Sequence, residues 1–214
     1  MRVLIACEYS GTVRDAFLEA GHVAVSCDIL PCESTYPIPP HTPYNGHFQG
    51  SIHDLLQVDS EWDLMIAHPP CTHLSVSGAW CFTLKVWEPG YKPESLRTEA
   101  LQFVQDLMDA DIPRIAIENP VSVISSRIRK PNQYIQPYQF GHPEQKKTGL
   151  WLKNLPLLQS TNDVYDWMME NKSKKEREKI LNMSGKDRGK LRSMFYSGIA
   201  KAMAEQWGGK LNDD

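Results

Sequence analysis

Two stretches of this chain place reactive side chains where an apolar run stops. Leu64-Met65-Ile66-Ala67 ends at His68-Pro69-Pro70, and Cys71 follows at once. A short apolar run closed by two prolines reads as a buried strand ending where helix is forbidden. Arg114-Ile115-Ala116-Ile117 is a second such run, ending in Glu118-Asn119-Pro120. In an open α/β sheet, ligands bind at the carboxyl ends of the strands, so Cys71 and Glu118 are predicted on one rim. A thiolate there can add to C6 of a pyrimidine while a carboxylic acid hydrogen-bonds N3 and the exocyclic amine. That addition makes C5 nucleophilic enough to take a methyl group from a sulfonium donor. Lys146 and Lys147 are the candidate electrostatic support for the thiolate.

Such chemistry needs a sheet and a cofactor site to position it. Arg2 to Cys7 reads as a first strand, followed by the turn Glu8-Tyr9-Ser10-Gly11. Thr12 to Gly21 has helical spacing, with Val13, Phe17 and Ala20 on one face and Gly21 as C-cap. His22 to Asp28 is a strand closed by an acid. Strand, Gly-bearing turn, helix and acid-ended strand outline a nucleotide-binding βαβ unit, whose turn lets backbone N–H groups approach a ligand. The sequence lacks GxGxxG, so an ordinary βαβ crossover with a solvated Asp28 stands beside that reading.

Pro31 to Gly46 carries five prolines and is read as a long loop, either a lid or a surface excursion. Gly50 to Leu56 falls where the adenine of a nucleoside would lie. An aromatic stretch from Trp80 to Tyr91 precedes an amphipathic helix, Glu94 to Ala110, with Leu96, Ala100, Phe103, Leu107 and Met108 toward the core. The Pro-rich loop and the aromatic stretch are candidates to cover a bound base, against plain packing under a loop. Gly141 to Thr148 is a polar, basic turn before a strand at Gly149–Leu152, and Met194 to Trp207 regains helical spacing. Between them, about 160–193, lies a densely charged segment, more in keeping with a solvated face than a binding site.

At 214 residues, 41% hydrophobic and 23% charged, the chain is sized for one domain with a full core. No apolar run approaches the ~20 residues of a membrane span, and a cytoplasmic location is expected. The five cysteines form no CxxC pair and match no common zinc spacing. Net charge is −3, so nucleic-acid contact would need a local basic face.

In their order these motifs resemble the DNA (cytosine-5)-methyltransferase family over nearly the whole chain. Glu8-Tyr9-Ser10-Gly11 is similar to that family's aromatic-Ala-Gly cofactor turn, Asp28 to its ribose-binding acid, and Gly50-Ser51-Ile52 to its Gly-Asp-Ile adenine site. Ala67 to Ser75 resembles the Gly-x-Pro-Cys-x-x-x-Ser nucleophile loop, and Glu118-Asn119-Pro120 the Glu-Asn-Val motif. Gly141 to Leu152 parallels the Gly-x-Pro-Gln-x-Arg-x-Arg turn and strand, and Tyr196 to Ala200 the late Gly-Asn-(Ala/Ser)-Val element.

The resemblance implies an α/β, Rossmann-like S-adenosylmethionine-dependent methyltransferase fold, mainly parallel, with helices on both faces. It implies Cys71 as nucleophile, Glu118 as the acid on the base, Asn119 orienting the Glu118 loop and Lys146 as basic support. Glu8, Tyr9, Ser10, Gly11, Asp28, Ile52, Pro69 and Ser197 would hold S-adenosylmethionine. Val13 and Arg14 replace two glycines of the family's first turn, Ser51 replaces an Asp, and Lys146 and Thr148 replace two arginines. The charged segment stands where the family carries its target-recognition domain, a pattern similar to compact phage-encoded members in a host cytoplasm. DNA, DNA presented by a partner protein or oligomer, and a free cytosine nucleotide therefore all remain as substrates, and transfer of a group other than plain methyl as a variant. The rival readings are a catalytically silent cofactor- or DNA-binding regulatory module and a hydrolase-like enzyme using Cys71 and His73, for which no nucleophile elbow is present.

Overall fold

The computed structural model describes residues 1–180 and 195–209. One seven-stranded sheet runs through it in the order β3-β2-β1-β4-β5-β7-β6. The strands are β1 (Arg2–Ala6), β2 (Val23–Asp28), β3 (His47–Gln49), β4 (Leu64–Ala67), β5 (Arg114–Pro120), β6 (Gln133–Ile135) and β7 (Thr148–Lys153). From β3 across to β5 neighbouring strands are parallel. Only β7, wedged between β5 and β6, runs against its neighbours.

The aliphatic runs explain the arrangement. Every residue of β4, and all of β1 beyond Arg2, is buried, because helices cover both faces. The pleat sends Val3, Ile5, Leu64 and Ile66 to one layer, with α1 (Thr12–Glu19) and a C-terminal helix, Ser197–Trp207. Leu4, Ala6, Met65 and Ala67 face the other layer, with α2 (Ile52–Val58), α3 (Glu94–Met108) and the short α4 (Ile124–Arg127). This is the expected α/β, Rossmann-like architecture. Chain order reverses between β1 and β4, so the crevice beyond their carboxyl ends is the switch point of the sheet. The turn after β1 and the His68–Cys71 loop after β4 both open into it.

Several expectations change. In α1 the buried face includes Leu18, while Ala20 lies past the helix end and is exposed. In α3 the fully buried residues are Arg97, Val104 and Leu107, and Ala100, Phe103 and Met108 pack against the core as expected. Leu96, Ala100 and Phe103 also line a cavity. Arg97 tolerates burial because its guanidinium lies 3.8 Å from the Phe82 ring centre and 3.2 Å from the Glu94 carboxylate.

The Pro-rich loop is fastened down rather than poised over the site. Arg14 donates to the Gly46 carbonyl at 3.2 Å, the Glu33 N–H donates to the Tyr9 carbonyl at 2.8 Å, and Tyr36 and Ile38 pack on the layer holding α1. None of residues 31–46 lines either of the cavities described below. Of the two readings of this loop, these contacts are those of a surface excursion, and Arg14 is its anchor.

Of the charged segment, α5 (Tyr165–Asn171) and α6 (Lys174–Arg177) are described. Residues 181–194 lie outside the described residues, and with them Met194, the expected start of the last helix, which begins at Ser197 as α7 (Ser197–Trp207). Among the described residues no helix is long and apolar enough to cross a membrane.

Candidate active site

The turn after β1 is built around a buried acid. Cys7 adopts a left-handed backbone, φ 60°, which ends the strand sharply. Glu8, 4% exposed, turns its carboxylate back onto α1 and accepts the N–H groups of Val13 at 2.7 Å and Arg14 at 3.2 Å. Burial pushes the Glu8 carboxyl up in pKa, opposed by the charge of His68, these two N–H groups and the Ser10 hydroxyl. Glu8 thereby satisfies the N–H groups of Val13 and Arg14 in the first turn of α1. Gly11 has φ 76°, and a Cβ on it would lie 2.5 Å from that of Ser34. It lines neither cavity.

The β4 and β5 ends are held together by register. Ala67 pairs with Ile117, so His68 and Glu118 follow side by side. His68 Nδ1 lies 3.0 Å from Glu118 Oε2. Burial alone would raise the Glu118 carboxyl, but the hydrogen bond and charge of His68, with the charge of Lys146, outweigh it and hold it below the ordinary carboxylate range. Asn119, 1% exposed, donates from Nδ2 to the Pro69 carbonyl at 2.8 Å and so ties the two strand ends. After the prolines the chain makes a tight turn, in which the N–H groups of Leu74 and Ser75 both donate to the Cys71 carbonyl, at 3.1 and 2.9 Å.

Cys71 stands between two cavities and lines both. The larger, about 1050 Å³, is bounded by Asp28 and Ile52 at the β2 and α2 ends, by Tyr9, and by Leu96, Ala100 and Phe103 of α3. Its size and its mostly apolar wall with a few polar groups suit a nucleoside-sized ligand. Asp28 offers a carboxylate there, with Oδ1 accepting the Leu30 N–H at 2.9 Å. The smaller, about 130 Å³, is bounded by Glu8, Tyr9, Ser10, Pro69, Glu118, Asn119, Lys146 and Lys147. Cys7, Tyr9, His68, Pro70 and Cys71 form the partition common to both.

The predicted site residues thus sort into groups. Cys71, Glu118, Asn119 and Lys146 come together around the smaller cavity, and Lys146 Nζ also lies 5.7 Å from the Tyr196 ring centre. Of the expected cofactor residues, Tyr9, Asp28 and Ile52 reach the larger cavity, whereas Glu8, Ser10 and Pro69 lie on the smaller. Ser197 is exposed and lines neither, because the chain entering α7 is turned toward the β6–β7 turn. There the Gly198 N–H donates to His142 Nε2 at 2.9 Å, and a Cβ on Gly198 would meet the Phe140 carbonyl at 2.0 Å. Of the aromatic stretch, Trp80 and Cys81 reach the larger cavity, whereas Trp87 and Tyr91 do not line it.

Two site residues escaped the sequence reading. Phe195 lines the smaller cavity, its ring 4.7 Å from that of His68. His68 was read as part of a strand stop, yet it stands where the nucleophile-loop pattern has glycine, which was the available signal.

No protein-family model matches the chain. No curated protein matches it either. Among solved structures, a protein described as a DNA modification methyltransferase encoded within a prophage (E. coli) is similar, at 14% identity and TM-score 0.45, over 71% of this chain and 46% of that one. A triple mutant of Spodoptera frugiperda DNMT2 is similar at 18% identity and TM-score 0.41, over 74% and 52%. The chain spans about half the length of these two structures.

Proposed function

We propose that this chain is an S-adenosylmethionine-dependent transferase that methylates C5 of cytosine in DNA through a covalent Cys71 adduct. The observation that carries it is the place of Cys71 in the partition between two cavities. One offers a carboxylate and an apolar shelf, and the other a buried carboxylate and a lysine.

The larger cavity fits the cofactor. Asp28 would accept hydrogen bonds from ribose hydroxyls, and Ile52 and Phe103 would flank the adenine. The bound sulfonium supplies an electrophilic methyl group. On the other side, Glu118 engages N3 and the exocyclic amine of cytosine and fixes the ring against Cys71. The Cys71 thiolate adds to C6 as N3 gains a proton, so the electron pair is released toward C5. Lys146 offsets the negative charge gathered around Glu118. Asn119 keeps the two strand ends in step, so the attack distance is set by the sheet rather than by a free loop. In duplex DNA the target base must leave the stack to present its ring face to the thiol.

The test is transfer of labelled methyl to duplex DNA, single-stranded DNA and free cytosine nucleotides, side by side, with wild type and Cys71→Ala. Label at C5 of cytosine in DNA, lost in Cys71→Ala with cofactor binding retained, is the expected result. Label only on the free nucleotide would move the substrate and keep the chemistry. Full turnover by Cys71→Ala would overturn the covalent mechanism.

A further inference from the structure

The geometry points to His68 as the residue that loads Glu118 with the proton cytosine N3 must receive, an inference that rests on the function proposed above. His68 Nδ1 is 3.0 Å from Glu118 Oε2, and both side chains are almost wholly enclosed. The N–H of His68 donates to the Ala6 carbonyl at 2.9 Å, so its backbone is held by β1 while its ring reaches toward β5. Its Nε2 is buried and has no hydrogen-bond partner among the described residues. A histidine whose one nitrogen is committed to a carboxylate, and whose ring walls both cavities, is placed to exchange a proton inside the site rather than to bind on its surface.

The chemistry gives such a group a use. Glu118, bonded to His68 and near Lys146, rests as a carboxylate, and a carboxylate alone has no proton to give. As the Cys71 thiolate forms its bond to C6, the N–H bond at Nδ1 of the doubly protonated His68 breaks, leaving a neutral imidazole with its proton on Nε2. Glu118 carries the released proton across, and a new N–H bond forms at N3. After methyl transfer the C5 proton leaves to solvent water and the C6–S bond breaks. N3 then returns its proton through Glu118, and His68 regains its N–H. The cycle uses one proton and restores it.

The groups facing His68 come from every surrounding element. They are Glu8, Cys7 and Tyr9 after β1, Glu118 on β5, Lys146 and Lys147 before β7, and Cys71 on its own loop. Glu8 and Glu118 bring negative charge to the imidazole, and the two lysines bring positive charge to the same cavity. His68 acts through Glu118 and is a positioning residue for that proton.

His68→Asn separates this role from a merely structural one, since the amide still donates a hydrogen bond but does not titrate. Methyl transfer to cytosine DNA is measured across pH for wild type, His68→Asn and His68→Gln. The proposal expects kcat of His68→Asn or His68→Gln to fall about a hundredfold and the pH profile to change shape, in variants whose thermal unfolding shows them folded. Wild-type kcat and pH profile in either folded variant would overturn it. In the wild type, the imidazole ¹⁵N signals of His68 should show both ring nitrogens protonated at the pH of maximal activity. A neutral ring there would also overturn it, whatever the variants do. If wild type itself transfers no methyl to any cytosine substrate, the proposed function falls and this inference with it. Methylation by wild type matched by a folded His68→Asn sinks only the role of His68.

Discussion

His68 and Glu118 stand side by side one residue beyond a parallel pair, Ala67 with Ile117, and their side chains meet at 3.0 Å. The contact joins a strand end beside the nucleophile to a strand end carrying the carboxylate. Because β4 and β5 are buried and adjacent, the sheet holds this spacing as part of its core.

The pair should be visible in acid stability. The folded pKa of Glu118 lies below its unfolded value, so its stabilising contribution is complete above the unfolded value and fades as pH falls through the folded one. Unfolding free energies of wild type and Glu118→Gln, followed downward from pH 5, should therefore converge below about pH 4.3. A gap that widens with acid would contradict the assignment of Glu118 as a paired carboxylate.

Asn119→Ala removes the bond from Nδ2 to the Pro69 carbonyl in a site that is 1% exposed. Leaving that carbonyl without its partner should cost about 1–3 kcal/mol in urea unfolding. Because the bond joins the Cys71 loop to the Glu118 strand, the rate of adduct trapping by 5-fluorocytosine DNA should drop by about tenfold or more. Trapping at the wild-type rate would show that the strand ends keep register without it.

Glu8→Ala tests whether the acid in the first turn is structural. The variant loses acceptors for the N–H groups of Val13 and Arg14 and should lose about 1–2 kcal/mol, as for other helix caps. Glu8→Gln keeps an acceptor and should lose less. Equal stability of wild type and Glu8→Ala in denaturant titrations would place the carboxylate's role elsewhere.

Asp28→Ala addresses the larger cavity. Calorimetric titration with S-adenosylhomocysteine should show affinity about tenfold or more weaker, as for loss of a hydrogen bond to a charged group. At saturating cofactor, kcat should change little, since Asp28 does not line the cavity holding Glu118. Unchanged affinity would mean that the nucleoside end binds along another wall.

Much of the architecture was legible because the aliphatic runs are short, uninterrupted and closed by special residues. Pro69-Pro70 and Pro120 mark strand ends, and Asp28 and Gly21 bound the βαβ unit. Those local signals carry chain order and the ends at which chemistry can sit. They cannot show which way a side chain turns when two roles suit it. Glu8 lies in the expected turn but spends its carboxylate on α1, and Leu96 has core spacing but lines a cavity. Ser197 sits in an expected cofactor element yet is directed outward by the contact between Gly198 and His142.

The amino-acid sequence by itself determined that Cys71 follows one buried strand and that Glu118 sits near the end of another, because proline and burial act over a few neighbouring residues. Only the tertiary structure decided what stands between them. The β4–β5 register sets His68 against Glu118, fifty residues away along the chain. Strand pairing at that range depends on how the whole sheet packs, and no local spacing encodes it.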